Sequence, residues 1–377
     1  MTNFISEFGS LAKLKTLSYF GKNKKILLVT GKDSFARCGA KTIVEKILED
    51  QNTIQFSNFF VNPKLDDAIS GAKLAREEKI DIIIGIGGGS VIDMAKLIKA
   101  LYLSKDKEIN LIKGNLRLSD PKIPLIAIPT TAGSGSEATH FAVVYIGEDK
   151  YSLASEYLLP NAVILDGELV TTASRYQKTC SALDAMAQAI ESFWAVGSTQ
   201  ESRQFSLTAL KLGWGILPNF ISGNCSPEIT QNMLLASNFA GKAINISKTT
   251  SAHAWSYAFT SKLNVPHGHA VWLTLPQIFE IHAHANESQV IDKRGLDHLR
   301  NMIRNLSNVL KLTHTENYAS QLFTFLQSIE IESNMANLGA DSNSIRSLIC
   351  NLVNLERMQN NPVNLNNFRN DIFHLDK

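Results

Sequence analysis

The sequence predicts an α/β domain with a mostly parallel sheet, followed by an all-α domain. Three observations predict it. Short apolar runs alternate with helical patterns over the first half of the chain. Those runs are rich in β-branched residues and carry no polar face, as strands covered on both sides must. Beyond Asp166 the texture becomes helical throughout. In order, KILLVT (25–30) reads as a strand and 36–48 as a helix, then TIQFSNF (53–59) as a strand and 64–78 as a helix. DIIIGIG (81–87) is a buried strand, 91–103 a helix, and IPLIAIPT (123–130) a further strand. TTASRYQKT is a polar joint, which places the boundary between domains 1–175 and 176–377. Ser226-Pro227-Glu228 marks a helix start: an N-cap serine, proline at the first helical position, and an acid near the positive end of the dipole.

A chain of 377 residues is long for one core and comfortable for two. Its hydrophobic share of 44% and charged share of 19% argue against a largely disordered chain. Lys+Arg 37 against Asp+Glu 35 gives no support to a nucleic-acid or anionic-membrane surface. Cys38, Cys180, Cys225 and Cys350 have no zinc-finger spacing and read as reduced thiols. The N-terminal stretch has no uninterrupted apolar h-region, and no apolar run reaches the length of a membrane span. The expectation is a cytoplasmic protein acting on a small molecule, with neither nucleic acid nor membrane as partner.

Two loops follow buried strands. Gly85-Ile-Gly87-Gly88-Gly89-Ser90 joins a strand to a helix. Glycines there let backbone approach a ligand, and a helix N-terminus offers N–H donors to phosphate. A tight turn that needs small residues is the other reading, and the spacing is not G-x-G-x-x-G. Three glycines followed by an N-cap-type serine favour phosphate. The second loop, Pro129 to Thr139, carries five hydroxyls at a strand's C-terminal end, where open α/β sheets place ligands. A plain polar surface loop is its alternative.

In the helical half, Asp184 and Gln188 lie four apart on one predicted helix face. His253 and His267 follow, fourteen positions apart. A carboxylate with imidazoles suits Fe²⁺ or Zn²⁺ better than Mg²⁺. A lone histidine is more often structural, and His140, His282, His284, His298, His314 and His374 are given no role. There is no G-x-S-x-G elbow, no H-E-x-x-H and no P-loop.

Taken in order, these pieces resemble the iron-containing (group III) alcohol dehydrogenase family, over nearly the whole chain. GGGSVIDMAK (87–96) looks like its pyrophosphate motif, PTTAGSGSEAT (129–139) like its second cofactor loop, and Asn62-Pro63 like a cofactor-side element. Asp184, His253 and His267 fall where the family keeps three of four metal ligands. The resemblance implies NAD(P)H on the N-terminal, dinucleotide-binding domain and a divalent metal in the helical one. The metal would polarise a carbonyl while the nicotinamide exchanges hydride. It implies a cofactor site of Gly31, Asn62, Gly87, Gly88, Gly89, Ser90, Asp93, Thr130, Thr131, Ser134, Thr139, Val143 and Lys150. It also implies a homodimer or larger homo-oligomer. Gly31-Lys32 stands where many relatives carry aspartate, so NADPH should be tolerated, with Asp33 as a counter-indication.

Three departures matter. Gln188 replaces a usual histidine, Tyr257 stands where a second helical histidine is common, and 245–250 replaces a glycine-rich approach. With Pro266 to Ala270, these look like the subgroup that reduces phosphonoacetaldehyde to 2-hydroxyethylphosphonate. The implied metal set is Asp184, Gln188, His253 and His267, with Tyr257 beside the chemistry. An anionic substrate must meet cations or N–H donors, and Lys248, Thr249, Thr250 and His269 are the candidates, with a solvated lysine as the alternative at 248. A general iron-type alcohol dehydrogenase is the main alternative function. A dehydroquinate-synthase-like enzyme and a scaffold without metal are two more.

Overall fold

The computed structural model describes residues 2–21, 23–105, 107–223, 225–314 and 316–373, so His374 lies outside the described residues. Six parallel strands form the first unit's sheet in the order β1-β8-β5-β4-β2-β3. These are β1 (Asn3–Ser6), β2 (Lys25–Thr30), β3 (Asn52–Phe56), β4 (Ile82–Gly87), β5 (Leu125–Pro129) and β8 (Ala162–Leu165). A separate antiparallel hairpin pairs β6 (Phe141–Ile146) with β7 (Asp149–Ala154). The strand period of two divides the core cleanly. Leu27, Val29, Ile83 and Leu125 face one cluster with α3 (Leu65–Glu77) and α4 (Gly89–Leu101). Ile26, Leu28, Ile82, Ile84, Ile126 and Ile164 face the other, with α2 (Ala40–Ile47) and a 3₁₀ turn at Ser10–Thr16.

The chain crosses from β3 past β2 to β4, and this reversal of strand order makes a crevice at the strands' C-terminal ends. Register aligns those ends, with Thr30 opposite Ile86 and Gly87 opposite Pro129. Gly31, the 87–90 turn and the 130–139 loop therefore leave the sheet side by side.

Four features depart from expectation. The expected 36–48 helix is interrupted by Gly39 at φ +81°, leaving α1 (Ser34–Arg37) and α2. β1 and β8 were not anticipated, being only four residues each, with β1 half-exposed at the edge. The β6–β7 hairpin was not anticipated either. The structure divides into Met1–Ser174 with Gly223–Gly241, and Arg175–Ser222 with Lys242–Lys377. The segment 223–241, expected in the helical domain, instead packs on the loop after β5. Gly135 and Gly241 approach so closely that a Cβ on Gly135 would lie 2.6 Å from Gly241 Cα. Asn238 Nδ2 donates to Glu137 Oε1 at 2.9 Å.

The second unit is helical. Beyond α5 (Glu108–Ile112) of the first unit, the helices are α6 (Arg175–Trp194), α7 (Gln200–Gly213), α8 (Leu217–Ser222) and α9 (Pro227–Ser247), the last belonging to the first unit as far as Gly241. α9 starts on the anticipated cap, with Ser226 Oγ accepting the Ile229 N–H at 3.3 Å. Then come α10 (Ser251–Leu263), α11 (His267–Trp272), α12 (Leu275–Ala283), α13 (Gly295–Leu310), α14 (Tyr318–Ser328), α15 (Asn343–Asn351), α16 (Leu355–Gln359) and α17 (Arg369–Phe373). α6 is buried along almost its whole length from Lys178 to Trp194. No helix among the described residues is long and apolar enough to cross a membrane.

Candidate metal centre and cofactor loops

Asp184 and Gln188 project from α6, His253 is the third residue of α10, and His267 opens α11. The turn between the last two is set locally. Asn264 ends α10 in the left-handed region, and Pro266 stands immediately before α11. Gly268 then lets α11 touch α6: a Cβ there would lie 1.9 Å from the Cys180 carbonyl oxygen and 2.9 Å from Asp184 Cβ.

These elements bring one ligand atom each from Asp184, His253 and His267 within 4.8 Å of one another. Asp184 Oδ1 lies 3.4 Å from His253 Nε2 and 3.9 Å from His267 Nε2. Asp184 Oδ1 and His253 Nε2 are buried and face each other across 3.4 Å, and neither has a partner in good hydrogen-bond geometry. Buried polar atoms aimed at each other without a good bond are costly unless something lies between them. A divalent cation fits that donor set. Gln188 hydrogen-bonds the Asp184 carboxylate, and its Oε1 is buried.

Glu191 completes the centre, and the sequence reading missed it. It is fully buried and bonded to His253 Nδ1. Its Oε1 accepts from Thr250 Oγ1 at 2.7 Å and from the Ala252 N–H at 2.8 Å. A carboxylate on Nδ1 fixes the tautomer that leaves Nε2 free to ligate. Glu191 lies seven residues after Asp184 and three after Gln188 on the same helix face, so its spacing was a usable signal. Ser256, also missed, plays a similar part for His267. Its hydroxyl donates to the His253 carbonyl at 2.8 Å and so receives His267 Nδ1–H at 3.2 Å. Tyr257 stacks on the His267 ring at 5.8 Å between centroids.

Burial pulls His253 toward the neutral form, but the Glu191 and Asp184 carboxylates outweigh it and push its pKa up to about 9. Burial also raises Asp184 and Glu191, and the imidazoles beside them hold both below their usual range. Metal requires the unprotonated Nε2, so below pH 9 binding must displace a proton. Apparent metal affinity should therefore weaken about tenfold for each pH unit lowered from there, and level off above. Chelator-competition titrations at several pH values check this, and a flat profile contradicts it.

Three residues expected at the substrate have partners within the chain. Lys248 ends α9 at φ +61° and pairs with Glu356 at the surface. His269 is buried with both nitrogens engaged, Nδ1 to Tyr176 Oη at 2.9 Å and Nε2 to the Glu332 carbonyl at 2.6 Å. The Thr250 hydroxyl bridges Glu191 and Trp194 Nε1. Lys248 is thus engaged by Glu356, His269 by two structural bonds, and Thr250 by the carboxylate beside His253. Thr249 is buried, and its carbonyl accepts from Asn360 Nδ2 at 2.9 Å.

In the first unit, Gly88 caps α4 with no side-chain hydrogen bond, and its carbonyl takes the Val91 N–H at 2.9 Å, so the Gly89 and Ser90 amides are the ones that face outward for a ligand. A Cβ on Gly87 would fall 2.5 Å from Val91 Cγ2, and one on Gly89 2.5 Å from Ser134 Oγ. Packing within the chain therefore leaves no room for a side chain at either position. At Gly88 a Cβ meets Thr131 at 3.3 Å, so the two loops lie against each other. Asn62, in the left-handed region at φ +63°, donates its N–H to Ser90 Oγ at 3.2 Å, which brings a third element to the same place. The Thr130 N–H bonds the Gly87 carbonyl at 3.0 Å.

Two further residues of the expected cofactor site bond within the chain. Asp93 was expected on the cofactor, but its oxygens accept from Ser136 Oγ and the Val143 N–H. Burial raises its pKa, against the pull of Lys96, Ser136, Val143 and Lys150. Thr139 is buried and its hydroxyl bonds Lys96 Nζ and the Ser136 carbonyl. Lys96, to which no role was given, is fully buried and also donates to the carbonyls of Ser136, Thr139 and Phe141 at 2.5, 2.7 and 2.9 Å. Burial pulls its pKa down to about 8 against the Asp93 and Glu137 carboxylates. Asp93, Lys96 and Thr139 shape the second loop from within, and the Val143 N–H is taken. Lys150 sits on β7 opposite Tyr145.

The chain thus has a parallel α/β unit with a glycine turn at its switch point, and a helical unit that brings Asp184, His253 and His267 together. The chain belongs to the iron-containing alcohol dehydrogenase family: the family's first model matches residues 2–167 and its C-terminal model residues 178–375. The phosphonoacetaldehyde reductase of Streptomyces viridochromogenes is 30% identical over 252 residues, 64% of this chain and 63% of that protein. The probable alcohol dehydrogenase EutG of Salmonella typhimurium is 31% identical over 218 residues, 57% of this chain and 55% of that protein. The chain thus matches less than two thirds of either relative's length. The crystal structure of sulfoacetaldehyde reductase from Bifidobacterium kashiwanohense, in complex with NAD+, has the same fold. It superposes with a TM-score of 0.82 over 99% of this chain and 96% of that one, at 24% identity.

Proposed function

We propose that this chain is a metal-dependent NAD(P)H oxidoreductase that reduces a small anionic aldehyde to its alcohol. The leading substrate is phosphonoacetaldehyde, giving 2-hydroxyethylphosphonate. The observation that carries the metal part is the pair of buried ligand atoms Asp184 Oδ1 and His253 Nε2, which face each other without a good hydrogen bond. Asp184, His253 and His267 would hold the ion, with Gln188 orienting Asp184. An Fe²⁺ or Zn²⁺ bound there supplies Lewis-acid polarisation of a carbonyl. Glu191 and Ser256 keep both imidazoles in the ligating tautomer, and Tyr257 packs over His267 as a candidate neighbour of the substrate. Gly88, Gly89, Ser90, Thr131, Ser134 and Asn62 would bind the cofactor, with Gly31, Gly87, Thr130, Val143 and Lys150 around it.

The anionic substrate rests on relatives. Phosphonoacetaldehyde and sulfoacetaldehyde, named for two of them, are both two-carbon aldehydes with a terminal oxyanion. Lys248, Thr249, Thr250 and His269 are the residues proposed toward that oxyanion, of which Lys248 is paired with Glu356 and His269 with Tyr176 and the Glu332 carbonyl. Four free cysteines suit a cytoplasmic setting, and a homodimer or larger assembly is proposed on family grounds.

NAD(P)H oxidation across phosphonoacetaldehyde, succinic semialdehyde, lactaldehyde and glyceraldehyde tests the substrate. A clear kcat/KM preference for phosphonoacetaldehyde is expected. Preference for an uncharged aldehyde would favour the general alcohol dehydrogenase reading. Gly88→Val should raise the cofactor KM by at least about tenfold, since its side chain would displace Thr131 and crowd the first-turn amides. An unchanged KM would remove the cofactor from this turn. NADH and NADPH compared in the same assay test the tolerance read from Gly31-Lys32.

A further inference from the structure

The two helices that carry Asp184 and His253 are tied together by residues more than a hundred positions away in sequence. α6 ends at Trp194 and the chain continues through Val196 and Gly197. α10 is entered through Ser247 to Ser251. Asn360 and Asn361, directly after α16, bond to both segments. The Asn360 carbonyl accepts the Val196 N–H, and its Oδ1 accepts the Gly197 N–H, each at 2.9 Å. Its Nδ2 donates to the carbonyls of Ser247 at 2.8 Å and Thr249 at 2.9 Å. Asn361 is fully buried, and its Oδ1 accepts from Ser251 Oγ at 2.9 Å, two residues before His253. Its Nδ2 donates to the Val363 carbonyl at 2.7 Å and to His282 Nε2 at 3.0 Å. Both amide groups are thereby filled as donors and acceptors.

The connection closes on the ligand shell. His282 lies edge-on to Trp194 at 4.5 Å between ring centroids, and Trp194 Nε1 donates to Thr250, which donates to Glu191. We infer that Asn360 and Asn361 are positioning residues of the metal centre, which fix the end of α6 against the start of α10 and so the spacing of Asp184 and His253. Metal–ligand distances tolerate only about 0.2 Å, so a small relative shift of these helix ends is felt as lost affinity. The inference rests on the metal reading above.

The test is a zinc titration of metal-stripped protein by chelator competition, with circular dichroism and Tm of the metal-free form alongside. Asn360→Ala and Asn361→Ala should weaken zinc binding about ten- to a hundredfold, the usual effect of losing an outer partner of a metal site. Asn317→Ala is the control, because its side chain caps α14 by accepting the Ser320 N–H at 2.8 Å. It should lower Tm while leaving zinc affinity within about twofold of wild type. Zinc affinity within about twofold of wild type in both Asn360→Ala and Asn361→Ala would overturn the inference. An equal loss in Asn317→Ala would overturn it too, by reducing the effect to general stability. If Asn361→Ala does not fold, Asn360→Ala, at a half-buried position, decides alone. Wild-type protein that binds no zinc would overturn the metal reading itself, a result distinct from variants that bind like wild type.

Discussion

Gly268→Ala should abolish measurable metal binding and lower Tm by about 10 °C. The added Cβ would sit 1.9 Å from the Cys180 carbonyl oxygen and 2.9 Å from Asp184 Cβ and N. The obstruction is helix backbone, which cannot swing aside as a side chain can. α11 must move off α6 by about an ångström, carrying its neighbour His267 away from Asp184. Overpacking of this kind costs about 3 kcal/mol, and about 3 °C is lost per kcal/mol in a unit of this size. Thermal melts and metal content of the purified variant check both halves. A variant with wild-type Tm and full metal would show that α11 is not held by this contact.

Glu191→Gln should weaken metal binding about a hundredfold with little change in volume. In the native centre Glu191 accepts from His253 Nδ1, Thr250 Oγ1 and the Ala252 N–H. An amide cannot accept from all of them. If its NH₂ faces His253, the ring must turn Nδ1 into the acceptor. Nε2 then carries the proton and hydrogen-bonds Asp184 in place of metal. If the NH₂ faces the other way, two donors confront each other at the Ala252 N–H. Zinc titration of the variant checks this, and unchanged affinity would mean that the Glu191–His253 bond does not select the tautomer.

The parallel sheet and its two ligand loops were legible because β4 and β5 are buried on both faces and read as unbroken apolar runs. β1 and β8 escaped because four residues, half-exposed in β1, carry too little pattern. The candidate metal-site residues Asp184, His253 and His267 were legible as residue types at helical and loop spacing. Their electrostatics were not: spacing puts Glu191 on the face of Asp184 and Gln188, but only its burial beside His253 shows which imidazole it holds. Lys248 and His269 show the same limit in reverse. Each stands next to the ligand segments in sequence. Their partners Glu356 and Glu332 come from 108 and 63 residues away, and turn one lysine outward and one histidine into a structural tie. Asp93, Lys96 and Thr139 sit inside the cofactor motifs, yet their side chains bond the loop they belong to.

The central claim is that Asp184, His253 and His267 hold one divalent metal on which aldehyde reduction depends. It is tested most directly by measuring metal content per chain and NAD(P)H oxidation together, before chelation, after it, and after Fe²⁺ or Zn²⁺ is restored. The account predicts about one metal per chain, turnover that falls in proportion as metal is stripped, and recovery on its return. Full turnover by protein with no detectable metal would contradict it.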